Sequence, residues 1–134
     1  MAATVYVGDD GLNTRAITVK ETWPQYAGPG LKRLMDDIQS IRREGEISFE
    51  EAGLIAVKRE RAKQDSILHQ EGHQLYPGSE YTYWLNGDGT IDYQRRDDQT
   101  MVSLKKDGCP RGFKWNGREC EDTGGFAREM AHMD

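Results

Sequence analysis

Two pairs of side chains carry spacings that metal or redox chemistry could use. His69 and His73 stand four apart in His69-Gln70-Glu71-Gly72-His73, a separation that can place both imidazoles on one helical face. Zinc hydrolysis built on that spacing needs Glu directly after the first His, as general base. Here Gln70 holds that place and no third ligand follows. The stretch therefore reads as a surface pair at a helix end. Cys109 and Cys120 are the only cysteines, too few for a four-ligand structural zinc site or a disulfide scaffold. They could close one local bridge in an oxidising setting, or remain thiols in a reducing one. Asp36-Asp37 and Asp97-Asp98 pair carboxylates, but both read as solvated faces. No glycine-rich phosphate loop and no nucleophile elbow is present. The expectation is a protein that is not an enzyme and uses no metal and no cofactor.

A third segment, Gly45-Glu46-Ile47-Ser48-Phe49-Glu50-Glu51, resembles the second half of an EF-hand calcium loop, with Gly at position six, Ile at eight and Glu at twelve. The resemblance implies a degenerate EF-hand-like protein as one reading. Its early ligand positions would be Ser40, Arg42 and Glu44, and an arginine there repels the ion. Gly89 to Arg95 repeats the pattern, but with Trp84 first and Arg95 last, on a strand-like flank. The competing explanation of the first segment is helix capping, since Ser48 followed by Glu51 is a capping box.

The elements that must position these groups follow from periodicity, and the fold class they predict is α+β. Thr4–Val7 and Ala16–Val19, separated by Gly8-Asp9-Asp10-Gly11, read as a β-hairpin. Trp23-Pro24 and Ala27-Gly28-Pro29-Gly30 read as a linker. Leu31, Leu34, Met35, Ile38 and Ile41 form one apolar stripe, which predicts a helix over 31–43 closed by Gly45. A second helix starts at Ser48, with Phe49, Ala52, Ile55 and Ala56 on its apolar face and a solvated run over 58–63. Ile67, Leu68 and Leu75 close its end. The two helices predict an antiparallel helical hairpin.

Beyond Tyr76-Pro77-Gly78 the pattern changes. Glu80–Leu85 and Thr90–Gln94 flank Asn86-Gly87-Asp88-Gly89, and this is the strongest hairpin signal in the chain. Tyr81, Tyr83, Leu85, Ile91 and Tyr93 can share one of its faces. Residues 100–104 offer a third strand, and Phe113–Cys120 a final tight hairpin turning at Asn116-Gly117. The expected organisation is an N-terminal hairpin arm and linker over 1–28, a helical hairpin over 29–75, a small antiparallel β subdomain over 76–123, and a tail over 124–134.

Composition bounds what this architecture can do. Leu, Ile, Val and Phe make up only 23 of 134 residues, so small local clusters are expected rather than one large core. No run of about 18 apolar residues exists to span a membrane. A net charge of −5 argues against a general nucleic-acid binder. The first residues, Met1-Ala2-Ala3-Thr4, lack a basic leader and reach Asp9-Asp10 early, which reads as synthesis in the cytosol without a secretory signal.

Two further resemblances bear on function. Residues 109–122, Cys109-Pro110-Arg111-Gly112-Phe113-Lys114-Trp115-Asn116-Gly117-Arg118-Glu119-Cys120-Glu121-Asp122, resemble the closing hairpin of an EGF-like module and the first part of an invertebrate chitin-binding module. Those families use more cysteines, so the likeness reads as convergence on a Cys-clamped turn, and no sugar or calcium binding transfers.

Val5-Tyr6-Val7-Gly8-Asp9-Asp10-Gly11, with Arg15-Ala16, Val19 and Trp23, resembles a short hairpin module of tailed-bacteriophage virion proteins. That resemblance implies a structural or attachment role in the virion, with other virion proteins or further copies of the chain as partners. The alternative is a small phage-encoded intracellular regulator that binds a host protein. Either role needs a contact surface, and Tyr81, Tyr83, Trp84, Tyr93 and Trp115 are its expected residues, because Tyr and Trp dominate binding hot spots. The competing fate of each ring is burial in the protein's own core.

Overall fold

Alternation of β-branched and aromatic residues produces short strands whose register fixes which side chains meet the helices. The structure, a computed structural model, describes residues 2–8, 15–69 and 79–124. Strands β1 (Ala3–Val7) and β2 (Arg15–Val19) form the N-terminal hairpin, with Val5 opposite Ile17. Strands β3 (Tyr81–Leu85) and β4 (Ile91–Arg95) form the second, with Tyr83 opposite Tyr93 and Leu85 opposite Ile91. Strand β5 (Val102–Ser103) adds to β4. The two hairpins join through a parallel pairing of β1 with β3, giving one mixed sheet in the order β2-β1-β3-β4-β5. A separate ribbon, β6 (Phe113–Trp115) with β7 (Cys120–Asp122), closes the described chain.

The first helix is longer than the periodicity predicts. Helix α1 spans Pro24–Gly45, so the segment read as a linker is its first two turns. Trp23 is extended, as a residue before proline prefers, and its carbonyl accepts from Tyr26 and Ala27 N–H at 2.9 and 2.8 Å. Pro24 then starts the helix, where its missing N–H costs nothing. Pro29, lacking an N–H, forgoes one intrahelical bond, and burial of Ala27, Gly28 and Gly30 against the rest of the protein offsets that loss. At the other end the left-handed residue is Glu46 (φ 50°) rather than Gly45, and Ile47 N–H returns to the Arg42 carbonyl at 3.3 Å.

Helix α2 (Phe49–Arg61) completes the helical hairpin, and Ser48 Oγ caps it by accepting from Glu51 N–H at 3.1 Å. Its buried face is Phe49, Ala52, Gly53, Ala56, Val57 and Glu60, while Ile55, expected on that face, is 36% exposed. Glu60 also departs from the expected solvated run. Its carboxylate accepts Ile67 N–H at 2.9 Å and pairs with Lys63 at 3.0 Å, which ties down the chain after the helix. Leu68 does not extend α2 but forms a bridge to Val19 beside β2. Leu75 lies outside the described residues.

One core results, where scattered clusters were expected. Ala3, Val5, Val7, Ile17 and Val19 from the first hairpin, and Tyr83, Leu85 and Ile91 from the second, pack with Leu31, Leu34, Met35, Ile38, Phe49, Ala52 and Ala56. The low aliphatic count is met by small residues that let backbones approach. A Cβ on Gly53 of α2 would meet Val7 Cγ1 at 3.2 Å.

Candidate functional site

The sheet presents its aromatic residues on two faces, as strand alternation requires. Tyr81, Tyr83 and Tyr93 lie on the face toward the helices. Their rings form a chain, with centroids 6.0 Å apart for Tyr81–Tyr93 and for Tyr83–Tyr93, and Trp23 joins it 5.7 Å from Tyr81. Tyr83 is wholly buried, so it belongs to the core and cannot serve as the contact residue expected of it. Tyr81 and Tyr93 are half-buried at the edge of the same cluster. Trp84 points the other way. It stacks on Tyr6 of β1, centroids 6.0 Å apart and planes inclined by 25°, across the parallel β1–β3 pairing. Both residues are half-buried, in a row that runs from Ala16 through Tyr6 and Trp84 to Asp92 and Ser103. Thr4, two residues before Tyr6 on that face, is buried, which confines the open aromatic patch to this row.

Trp115 is placed differently again. It is half-buried on β6, opposite Cys120, and its N–H donates to the Asp107 carboxylate at 3.1 Å. The same carboxylate accepts from Cys109 N–H at 2.9 Å. Cys109 and Cys120 are joined in a disulfide, their Cα atoms 5.7 Å apart. Trp115 thus helps build the clamped ribbon and stands apart from the other four aromatic residues.

Three aromatic residues outside the expected set are surface candidates: Tyr6, Trp23 and Tyr26. Trp23 and Tyr26 are 37% and 62% exposed at the start of α1. The sequence did hold a signal for them, since Trp23-Pro24-Gln25-Tyr26 reads as a helix start with aromatic residues three apart. Tyr6 had no such signal, because its partner Trp84 comes through a pairing between strands 78 residues apart.

Tyr83 Oη donates to the Thr22 carbonyl at 2.5 Å, and Thr22 is itself buried with a hydroxyl that has no partner among the described residues. These two neighbours should respond in opposite directions. Tyr83→Phe strands a buried carbonyl and is expected to cost about 1–2 kcal/mol, whereas Thr22→Val removes an unpaired hydroxyl and should gain up to about 1 kcal/mol. Urea unfolding of both variants checks the pair of signs. Burial also pushes the phenol of Tyr83 far above its ordinary range, and raises Tyr81 and Tyr93 in the same direction. The folded state then holds these protons more tightly than the unfolded chain, whose tyrosines titrate near 10. Stability is thus fully present below pH 10 and falls above it, by about 1.4 kcal/mol per pH unit for Tyr83 alone. Absorbance of tyrosinate followed against pH should show the buried group ionising only together with unfolding.

Among the described residues, those considered for metal chemistry do not assemble a site. Ser40, Arg42 and Glu44 lie within α1, and only Glu46–Ser48 separate the two helices, so no twelve-residue calcium loop is formed. Arg42 instead donates to the Gly87 carbonyl at 3.0 Å, pinning the β3–β4 turn to α1. Residues 89–95 are turn and strand. The pair to His69, His73, lies outside the described residues. Among the described residues no group of three His, Cys, Asp or Glu could hold a metal ion, and no helix is long and apolar enough to cross a membrane. No protein-family model matches the chain, and neither the curated proteins nor the solved structures yield a match to it.

Proposed function

We propose that the chain is a non-enzymatic structural or assembly protein, a minor component of a tailed-phage virion that docks on larger virion proteins. The observation that carries the docking role is the Tyr6–Trp84 stack. Two large rings are held side by side, partly buried but still accessible, on the sheet face away from the helices. Such rings offer broad contact area at low entropic cost, and they sit on a rigid sheet rather than on a loop. The likeness of the N-terminal hairpin to virion modules supplies the setting. The Cys109–Cys120 bridge favours a particle that leaves the reducing cytosol over the alternative, an intracellular regulator of a host protein.

Mass spectrometry of purified particles tests the reading, with the chain expected at stoichiometric level beside the structural proteins. Absence from particles together with recovery on one host enzyme would overturn it in favour of the regulator. Trp84→Ala examines the surface itself. Incorporation into particles, normalised to folded chain, should fall about thirtyfold, the equivalent of a hot-spot loss of about 2 kcal/mol, while loss of the Tyr6 stack lowers the melting temperature by only a few degrees, consistent with about 1 kcal/mol. Unchanged incorporation would remove the Tyr6–Trp84 patch from the contact.

A further inference from the structure

Three lysines line the cleft between α1 and the loop that precedes the disulfide ribbon. Lys32 from α1 and Lys105 and Lys106 from the loop border a cavity of about 220 Å³. Buried Met35 and Ile91 form part of its lining. Asp36 is the one acidic residue in the lining, and it is already paired with Lys32 at 2.7 Å. Lys105 donates to the Phe113 carbonyl and lies 3.6 Å from the carboxylate of Asp107. Lys106 is exposed and makes no ion pair among the described residues. With Asp36 set against Lys32 and Asp107 against Lys105, the cleft keeps one net positive charge, that of Lys106, on a chain whose net charge is −5.

From this cleft we infer that the protein binds a compact phosphate-type oxyanion, either free or as a small monoester. The charge excess selects an anion. Lysine ammoniums act as point charges with several donors each, which suits a tetrahedral oxyanion. A planar carboxylate would call for the fork of an arginine, and the lining has none. The volume lies below the roughly 300–1,000 Å³ of drug-sized sites, so the ligand is small. A polyanion such as nucleic acid meets the repulsion of the whole acidic chain, while a single small anion feels mainly the local field.

The loop is set in advance. Gly108 N–H returns to the Lys105 carbonyl at 2.9 Å, Lys105 N–H donates to the Cys109 carbonyl at 3.0 Å, and Cys109 is held by the bridge. Binding would thus require little ordering of the backbone that carries two of the three lysines. The inference goes beyond the docking role and stands independently of it.

Titration of the ¹⁵N-labelled, disulfide-bonded full chain with sodium phosphate, against sodium chloride at matched ionic strength, tests the site. Saturable shifts are expected at the amides of Lys32, Ile91, Lys105 and Lys106. Lys106→Gln, at an exposed position where melting should not change, is expected to weaken binding about tenfold. Lys58→Gln, an exposed charge on α2 outside the cleft, should leave it unaltered. Phosphoserine serves as the ester arm: binding at least about tenfold tighter than inorganic phosphate assigns the monoester, and anything weaker assigns the free anion. The proposal fails if neither probe saturates, or if both substitutions weaken binding equally, which would reduce the cleft to a diffuse surface field.

Discussion

Gly28→Ala should destabilise the protein by about 3 kcal/mol, lowering the melting temperature by roughly 10 °C, against the sign that helix propensity alone assigns. Gly28 is the fifth residue of α1, and in an unencumbered helix alanine there would gain about 1 kcal/mol. Here a Cβ would sit 2.0 Å from the carbonyl oxygen of Gly108 and 3.3 Å from its carbon, both backbone atoms. Neither side can yield cheaply. Gly108 has φ +87°, and its own added Cβ would meet Lys32 Cβ at 2.9 Å, so two glycines face each other where helix and loop touch. The loop is further fixed by its turn, by the Asp107 carboxylate on Cys109 N–H, and by the bridge. Gly45→Ala provides the control on the same helix. Its Cβ would rest 3.6–3.7 Å from Ile47, an ordinary contact, and the usual helical gain is expected. Thermal melts of both variants decide the matter. If Gly28→Ala gains stability as Gly45→Ala does, the helix–loop contact is not where the structure puts it.

That contact also marks the limit of what the sequence disclosed. Local patterns were legible because local physics sets them. Strand alternation with Asn86-Gly87-Asp88-Gly89 announces the β3–β4 hairpin and places Tyr81, Tyr83, Leu85, Ile91 and Tyr93 on one face. Ser48 with Glu51 announces the start of α2. The first four residues of the α1 stripe, Leu31, Leu34, Met35 and Ile38, are buried, and the fifth, Ile41, is partly so. What failed to show were choices made by distant partners. Ala27-Gly28-Pro29-Gly30 looks like a linker until Gly108 and Ile67 pack against its glycines, which stabilises a helix that composition alone disfavours. The parallel β1–β3 pairing leaves no local mark either, yet it merges two hairpins into one sheet and brings Tyr6 onto Trp84. The aromatic residues expected on a contact surface are divided by that tertiary pairing, which puts Tyr83 in the core and leaves Trp84 partly buried against Tyr6 on the opposite face.

Removal of the disulfide is expected to release the C-terminal ribbon while the five-stranded sheet stays folded. The bridge closes a loop between residues 11 apart, for which chain entropy gives about 2.8 kcal/mol. Whether that loss is global or local depends on what else holds the ribbon. Among the described residues strands β6 and β7 pair only with each other, and an isolated two-stranded ribbon is marginal in water. Beyond the bridge and the contact of β7 with α1, hydrogen bonds fasten it. Asp107 accepts from Cys109 and Trp115, Lys105 donates to the Phe113 carbonyl, and Thr123 N–H donates to the Gly112 carbonyl at 3.1 Å. Most of these run within the same segment, so they vanish together once it opens. The sheet draws its stability from the core under α1 and α2, which includes no residue of β6 or β7, although β7 rests against α1. In Cys109→Ala/Cys120→Ala, amide exchange over 113–122 should accelerate at least a hundredfold, consistent with about 2.8 kcal/mol, while β1 and β3 keep their protection. Equal acceleration across both regions would instead make the ribbon part of one cooperative unit. An unchanged rate at 113–122 would show that the Asp107 hydrogen bonds, rather than the covalent clamp, hold it in place.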